Sequence, residues 1–262
     1  MTRIESLKDL SGMTRDAVID LLYRIGDDDL VMGHRDSEWT GLAPILEGDI
    51  AFSSMAQDKM GHALAYYQLL HELGEPDPDT IAFGRKSRQY RCASLVSLPN
   101  NHDWGFCVLR QFLYDAAGTV RLAALTDSAL VPLAQLVRKL QTEKKYHLLH
   151  GRTWVLKLGK STHEAKQRLQ TALDGAYPHA LALFEATEAD EPLVQAGICP
   201  REQELRSQWA SAVSPVLTDA GLTTPETAAP VYGGRAGKHP PELAELLDGM
   251  QLVYNIDPSA QW

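Results

Sequence analysis

The chain has 262 residues, of which 44% are hydrophobic and 23% are charged, a balance typical of a soluble globular protein. Its 25 Lys and Arg residues against 34 Asp and Glu residues give a net charge of −9. This charge argues against a nucleic-acid binder and against docking on an anionic membrane, since both need a basic face. No apolar run reaches the roughly 20 residues of a membrane span.

The first ten residues, MTRIESLKDL, lack the apolar core of a secretory signal. The three cysteines, Cys92, Cys107 and Cys199, are widely spaced and form no CxxC pair. Such a pattern favours free thiols over a disulfide framework. We therefore expect a cytoplasmic protein.

Helical patterns dominate the chain in order. Apolar residues at a spacing of about 3.6, Pro near a helix start and Gly after a helix end predict four long helices. They cover about residues 12–39, 44–74, 103–125 and 129–159. Between the second and third helices, the pattern predicts a turn at residues 75–80 and irregular structure at residues 81–101. Further helices are predicted over about residues 162–185, from Cys199 onwards, and after a linker at residues 223–230.

Four long helices, joined mostly by short links, are typical of a helix bundle. We expect an all-α protein with one helical domain over residues 1–262. Its core bundle would cover about residues 14–160, and peripheral helices would cover about residues 161–262. Nothing in the pattern indicates a parallel sheet.

Two short motifs carry the functional argument. In a di-iron bundle one helix supplies a Glu and the next supplies Glu-x-x-His, and this pair of helices occurs twice. Here the second helix carries DKMGH (residues 58–62) and the fourth carries EKKYH (residues 143–147). Each Glu-x-x-His has thus become Lys-x-x-His. Glu38 and Asp115 are the candidates for the two remaining carboxylates.

The two lysines carry the charge that two metal ions would otherwise supply. We therefore expect internal ion pairs Glu38–Lys59 and Asp115–Lys144, and no metal, because a protonated ammonium only donates hydrogen bonds. A second interpretation places both lysines on the surface beside ordinary histidines. A third is a self-sufficient metalloenzyme with a reduced site, in which His62, His147, Glu38 and Asp115 bind one metal.

Several motifs in the same order resemble one family. They are GHRDSEW (33–39), DKMGHA (58–63), EKKYH (143–147), GGR (233–235), GKH (237–239) and the final QW (261–262). This set, within about residues 22–262, resembles the C subunit of the bacterial phenylacetyl-CoA ring epoxidase. The resemblance implies a ferritin-like fold, paralogous to a catalytic A subunit whose di-iron centre inserts one oxygen atom of O₂ into the ring of phenylacetyl-CoA.

The same resemblance implies a structural subunit with a degenerate metal site, no catalytic residue and no cofactor of its own. Its partners would be the A subunit, a small B subunit, and a flavin/iron–sulfur reductase. The positions carried over from the A subunit are the carboxylates at Glu38, Lys59, Asp115 and Lys144, and the histidines at His62 and His147. The alternative to membership of this complex is a plain helical scaffold without a link to aromatic degradation.

Two basic segments lie outside these motifs. The first contains Arg85, Lys86, Arg88 and Arg91, which either contact the phosphates of coenzyme A or an acidic partner, or form a solvated loop. The second is the Gly233-Gly234-Arg235 turn. It lacks the GxxxxGK[ST] spacing of a phosphate loop, so we expect a structural turn or a contact between subunits.

Overall fold

The computed structural model describes residues 3–225, 227–258 and 260 of the chain. Over this part of the chain the secondary structure is helical, and an isolated bridge between Ile4 and Leu130 is its one strand-like contact. The long helices are α1 (Gly12–Ser37), α2 (Leu46–Glu72), α5 (Trp104–Leu125) and α6 (Val131–Gly159). The others are α3 (Pro78–Phe83), α4 (Ser94–Ser97), α7 (His163–Leu181), α8 (Asp190–Gln195), α9 (Glu202–Asp219) and α10 (Pro241–Met250).

Helix ends follow the local signals in the sequence. The Asp103 side chain accepts a hydrogen bond of 3.0 Å from the backbone N–H of Phe106 and thereby caps α5. Gly74 follows α2 with a φ of +90°, a conformation that favours glycine. The segment predicted as a turn is in part helical, because Asp77 caps α3 within it. The segment predicted as irregular contains α4.

The four long helices form two hairpins. Helix α1 packs along α2, α5 packs along α6, and the two hairpins face each other. The expected all-α bundle is therefore confirmed. Helices α7 and α9 cover α5, and Trp209 of α9 donates a hydrogen bond of 3.0 Å to the carbonyl oxygen of Leu113. The later helices thus share one hydrophobic core with the bundle.

Three consecutive aspartates, Asp27, Asp28 and Asp29, lie buried in the middle of α1. Successive residues of a helix point about 100° apart, so the three carboxylates reach different neighbours. Asp27 pairs with Arg85, Asp28 with Arg235 and Asp29 with Lys144. Charged groups this deep are found where partners are built in, and here three separate parts of the chain are tied to one helix.

The Gly233-Gly234-Arg235 segment is a structural turn. The Arg235 guanidinium is buried and donates hydrogen bonds of 2.9 and 2.8 Å to the two carboxylate oxygens of Asp28. A Cβ atom on Gly234 would clash with the carbonyl oxygen of Cys92, so only glycine fits there. Gln261 and Trp262, also quoted in the resemblance, lie outside the described residues. None of the described helices is long and apolar enough to cross a membrane.

Candidate functional site

The two Lys-x-x-His motifs meet at the centre of the bundle. Lys59 and His62 lie on α2, and Lys144 and His147 lie on α6, with all four side chains buried. The two imidazole rings are stacked with centroids 6.3 Å apart. The alternative in which these lysines are surface residues is therefore wrong.

Lys144 bridges α1 and α5 from its position on α6. Its Nζ lies 2.8 Å from Oδ1 of Asp29 and 3.5 Å from Oδ1 of Asp115. The expected contact between Asp115 and Lys144 is thus present, but Asp29 is the nearer partner. Burial disfavours the charged form of Asp29, yet the Lys144 ammonium and His62 outweigh it and hold the pKa of Asp29 well below its usual range. The two carboxylates likewise outweigh the effect of burial and raise the pKa of Lys144.

Lys59 has a different partner from the one predicted. Its Nζ lies 3.0 Å from Oδ2 of Asp36 and 3.7 Å from Oδ2 of Asp115. The expected Glu38–Lys59 pair is wrong. The Glu38 side chain is 36% exposed and accepts hydrogen bonds of 2.7 Å from Arg35 and from Asn100. Glu38 comes two residues after Asp36, at the end of α1, and two residues turn a helix by about 200°.

Asp29 holds the place that was expected for Glu38. Oδ2 of Asp29 lies 3.7 Å from Nδ1 of His62, and Oδ1 of Asp115 lies 3.9 Å from Nδ1 of His147. The two aspartates are thus equivalent in the two hairpins. A signal for this was present in the sequence, because Asp29 precedes Lys59 by 30 residues and Asp115 precedes Lys144 by 29.

The outer nitrogens of the histidines are held by acids on the opposite helix. Nε2 of His62 lies 2.6 Å from Oε2 of Glu143, and Nε2 of His147 lies 2.9 Å from Oδ2 of Asp58. Both Nδ1 atoms are buried and make no hydrogen bond. An outer nitrogen bonded to a carboxylate and an inner nitrogen turned to the centre is the orientation of metal-ligating histidines.

The full donor set nevertheless does not fit a two-metal centre. Two ammonium groups occupy the positions where carboxylate ligands would be needed, and an ammonium has no lone pair to offer. Within the described ranges, no group of three or more His, Cys, Asp or Glu residues is arranged to hold a metal ion. Burial and the charges of Lys59 and Lys144 also lower the pKa of His147, so its ring stays neutral. The arrangement is a buried cluster of alternating charges, here called the lysine cluster: Asp29, Asp36, Lys59, Asp115 and Lys144.

The basic segment at residues 85–91 is divided between interior and surface. The Arg85 guanidinium pairs with Asp27 and lies 4.1 Å from the centroid of the Tyr90 ring. Arg91 donates its backbone N–H to Asp27 at 2.6 Å. Lys86 and Arg88 lie at the surface of the same segment. The expectation of a free ligand contact therefore fails for Arg85, because its charge is already paired inside the fold.

The family model for "Phenylacetic acid catabolic protein" matches residues 1–262 of this chain. The chain belongs to this family. It is 34% identical over 240 residues to the C subunit of 1,2-phenylacetyl-CoA epoxidase from Escherichia coli (strain K12), covering 91% of this chain and 96% of that protein. The resemblance noted from the motifs is therefore confirmed. The A subunit of the epoxidase from the same organism is 24% identical over 196 residues, which are 73% of this chain and 63% of that relative.

A solved structure shows the fold independently. "Protein 19 with aldehyde deformylating oxidase activity from Synechococcus" superposes with a TM-score of 0.53 at 15% sequence identity. The match covers 81% of this chain and 93% of that protein. At this identity the similarity concerns the fold alone, and it confirms the expected ferritin-like bundle.

Proposed function

We propose that this phenylacetic acid catabolic protein is a non-catalytic structural subunit of a phenylacetyl-CoA epoxidase complex. The observation that carries the proposal is the lysine cluster. Lys59 and Lys144 stand in the two Glu-x-x-His positions that a di-iron bundle needs, and their ammonium groups lie among the carboxylates. The similarity to the C subunit of the E. coli epoxidase supports the assignment to the complex.

The lysine cluster would serve as a support for the bundle. Lys144 joins α1, α5 and α6, and Lys59 joins α1, α2 and α5. Such buried pairs are costly to break, because removing one partner leaves an unpaired charge in the interior. The helices would therefore keep the spacing of a metal-binding bundle while no redox chemistry takes place in this chain.

The proposed main partner is a catalytic di-iron A subunit, in agreement with the similarity of this chain to such a protein. A reductase and a small B subunit would complete the complex, in the cytoplasm. Lys86 and Arg88, at the surface, would be available for the coenzyme A phosphates or for an acidic partner surface.

Metal analysis of the purified chain tests the non-catalytic role. After expression with added iron, we expect well under one iron atom per chain and no oxygen consumption by the chain alone. One metal ion per chain together with oxygen consumption would instead support a self-sufficient metalloenzyme, the function favoured by the two inward Nδ1 atoms. Two iron atoms per chain would exclude a degenerate site.

A reconstitution experiment tests the assignment to the complex. The A subunit of the same organism is assayed for phenylacetyl-CoA epoxidation, with reductase and B subunit, in the presence and absence of this chain. We expect activity to depend on the chain, and we expect the chain to co-purify with the A subunit. Full activity without the chain and no co-purification at micromolar concentration would favour a scaffold unrelated to this reaction.

A further inference from the structure

One face of the bundle exposes apolar side chains where charged residues are expected. On α6, Tyr146 is 70% exposed and Leu149 is 57% exposed. On α2, Ile50 and Leu64 are exposed as well. We call this the α2–α6 face, and it is formed by Ile50, Gln57, Gly61, Leu64, Tyr146 and Leu149.

The residues of this face lie on two adjacent helices at matching heights. The bonds of His62 to Glu143 and of His147 to Asp58 set an antiparallel register between α2 and α6. In this register residues 57–61 of α2 lie at the level of residues 144–148 of α6. A Cβ atom added to Gly61 would meet nothing within 4 Å, so the surface is open above α2. The result is a shallow groove with Tyr146 along one edge.

The sequence of α2 is unusual for a helix with an exposed face. Its solvent-facing positions recur at helical spacing but carry no charge: Ile50, Ser54, Gln57, Gly61, Leu64 and Gln68. Between Ile50 and Gln68 the charged residues are Asp58 and Lys59, and Lys59 is buried. Solvent-facing helix surfaces normally carry charged residues. An exposed apolar surface of this kind marks a site of interaction in most proteins.

Two carboxylates decide what kind of partner fits. Asp58 and Glu143 are partly exposed in the groove, and each uses one oxygen to hold a histidine. Burial, and then the charge of Glu143, raises the pKa of Asp58, so the two acids repel each other. A second copy of this chain, packed about the local two-fold axis of the α2–α6 pair, would bring four such carboxylates together. A partner with a cationic side chain would instead neutralise them.

We propose that the α2–α6 face binds the catalytic A subunit through an apolar surface that carries an Arg or Lys opposite Asp58 and Glu143. This inference rests on the proposed function, because it takes the A subunit to be the partner. It adds the location of the interface and the chemistry of the contact. The same two carboxylates hold His62 and His147, so docking would also fix the orientation of these rings.

Binding of the full-length chain to the A subunit of the same organism, measured by titration calorimetry, tests the interface. We expect Tyr146→Asp with Leu149→Asp to weaken binding by at least about 100-fold, because a desolvated charge would be placed at the centre of the contact. The control is Met13→Asp, an equally exposed apolar residue outside this face, for which we expect a change of less than about 2-fold. Circular dichroism shows whether each variant is folded.

The acidic pair is tested separately with Asp58→Asn, which keeps the size of the side chain. We expect binding weakened on the order of 10-fold and a smaller dependence on salt concentration, since one charge pair is lost. Failure of the wild-type chain to bind the A subunit would overturn the proposed function itself. Tight wild-type binding that the Tyr146 and Leu149 variant retains would overturn the location alone. Self-association of the wild type that this variant abolishes would identify a second copy as the occupant and refute the proposal.

Discussion

Lys144→Met is the sharpest test of the lysine cluster. Methionine has a similar length and flexibility, so the variant removes the charge while largely filling the space. It leaves the buried Asp29, whose Oδ1 is 2.8 Å from the lost ammonium, and the buried Asp115, 3.5 Å away. Breaking a buried ion pair by removing one partner costs about 3–5 kcal/mol. We therefore expect the free energy of unfolding at pH 7 to fall by about this amount.

The cost should depend on pH in a defined direction. In the wild type the pKa of Asp29 lies below its unfolded value, so the stabilisation is present above about pH 4 and is lost only as the pH falls through the folded pKa. Without Lys144 the pKa of this buried carboxyl lies above its unfolded value. The variant is then relieved by protonation, and the difference from the wild type should shrink between pH 7 and pH 5.

Urea denaturation followed by circular dichroism measures both effects. The expected loss corresponds to a fall in Tm of roughly 6–20 °C for a chain of this size. Lys145→Met is the matched control, because Lys145 is the exposed neighbour on the same helix, and it should change the free energy of unfolding by no more than about 0.5 kcal/mol. A loss below about 1 kcal/mol for Lys144→Met, constant between pH 5 and pH 7, would refute the buried-pair argument.

Three further outcomes are expected. Asp29→Ala should lower the free energy of unfolding by about 3 kcal/mol or more and Glu38→Ala by at most about 1 kcal/mol, because only Asp29 is buried against a lysine; equal losses in urea titrations would contradict the place assigned to Asp29. Lys59→Glu combined with Lys144→Glu should raise bound Fe²⁺ or Co²⁺ towards two ions per chain by elemental analysis, with lower stability in the absence of metal, and metal content at the wild-type level would count against the inward orientation of the histidines. The lowered pKa of His147 means that the unfolded chain takes up its proton first, so wild-type stability should fall as the pH drops below about 6.5. His147→Gln should reduce that fall by up to about 1.4 kcal/mol per pH unit, and an unchanged slope would show that the ring titrates normally.

The error at Glu38 shows where sequence reasoning loses its hold. The motif around it resembles the family, and an acid at the end of the first helix is a reasonable ligand candidate. The side of a helix that a residue faces is fixed by its spacing from buried neighbours, however, and Glu38 is about 200° round from Asp36. The 30-residue interval between Asp29 and Lys59, matched by the 29 residues between Asp115 and Lys144, carried the correct information.

The buried arginines show a second limit. Arg85 stands in a basic segment that resembles an exposed loop, and Arg235 stands in a glycine-rich turn. Both pair with aspartates of α1, Arg85 across 58 residues and Arg235 across 207. Neither pairing has a local signature, because an arginine that will be buried and one that will stay in water have the same neighbours in sequence.

The sequence by itself determined the long helices, their approximate ends, the bundle and the two Lys-x-x-His motifs. Those features depend on the 3.6-residue period, on capping residues and on i, i+3 spacing, all of which act within a few residues. Only the tertiary structure decided which acid meets which base: Asp36 with Lys59, Asp29 with Lys144, and Asp58 and Glu143 with the two histidines. These contacts depend on how helices distant in sequence cross and rotate against one another, and small shifts in their positions form or break a buried charge pair.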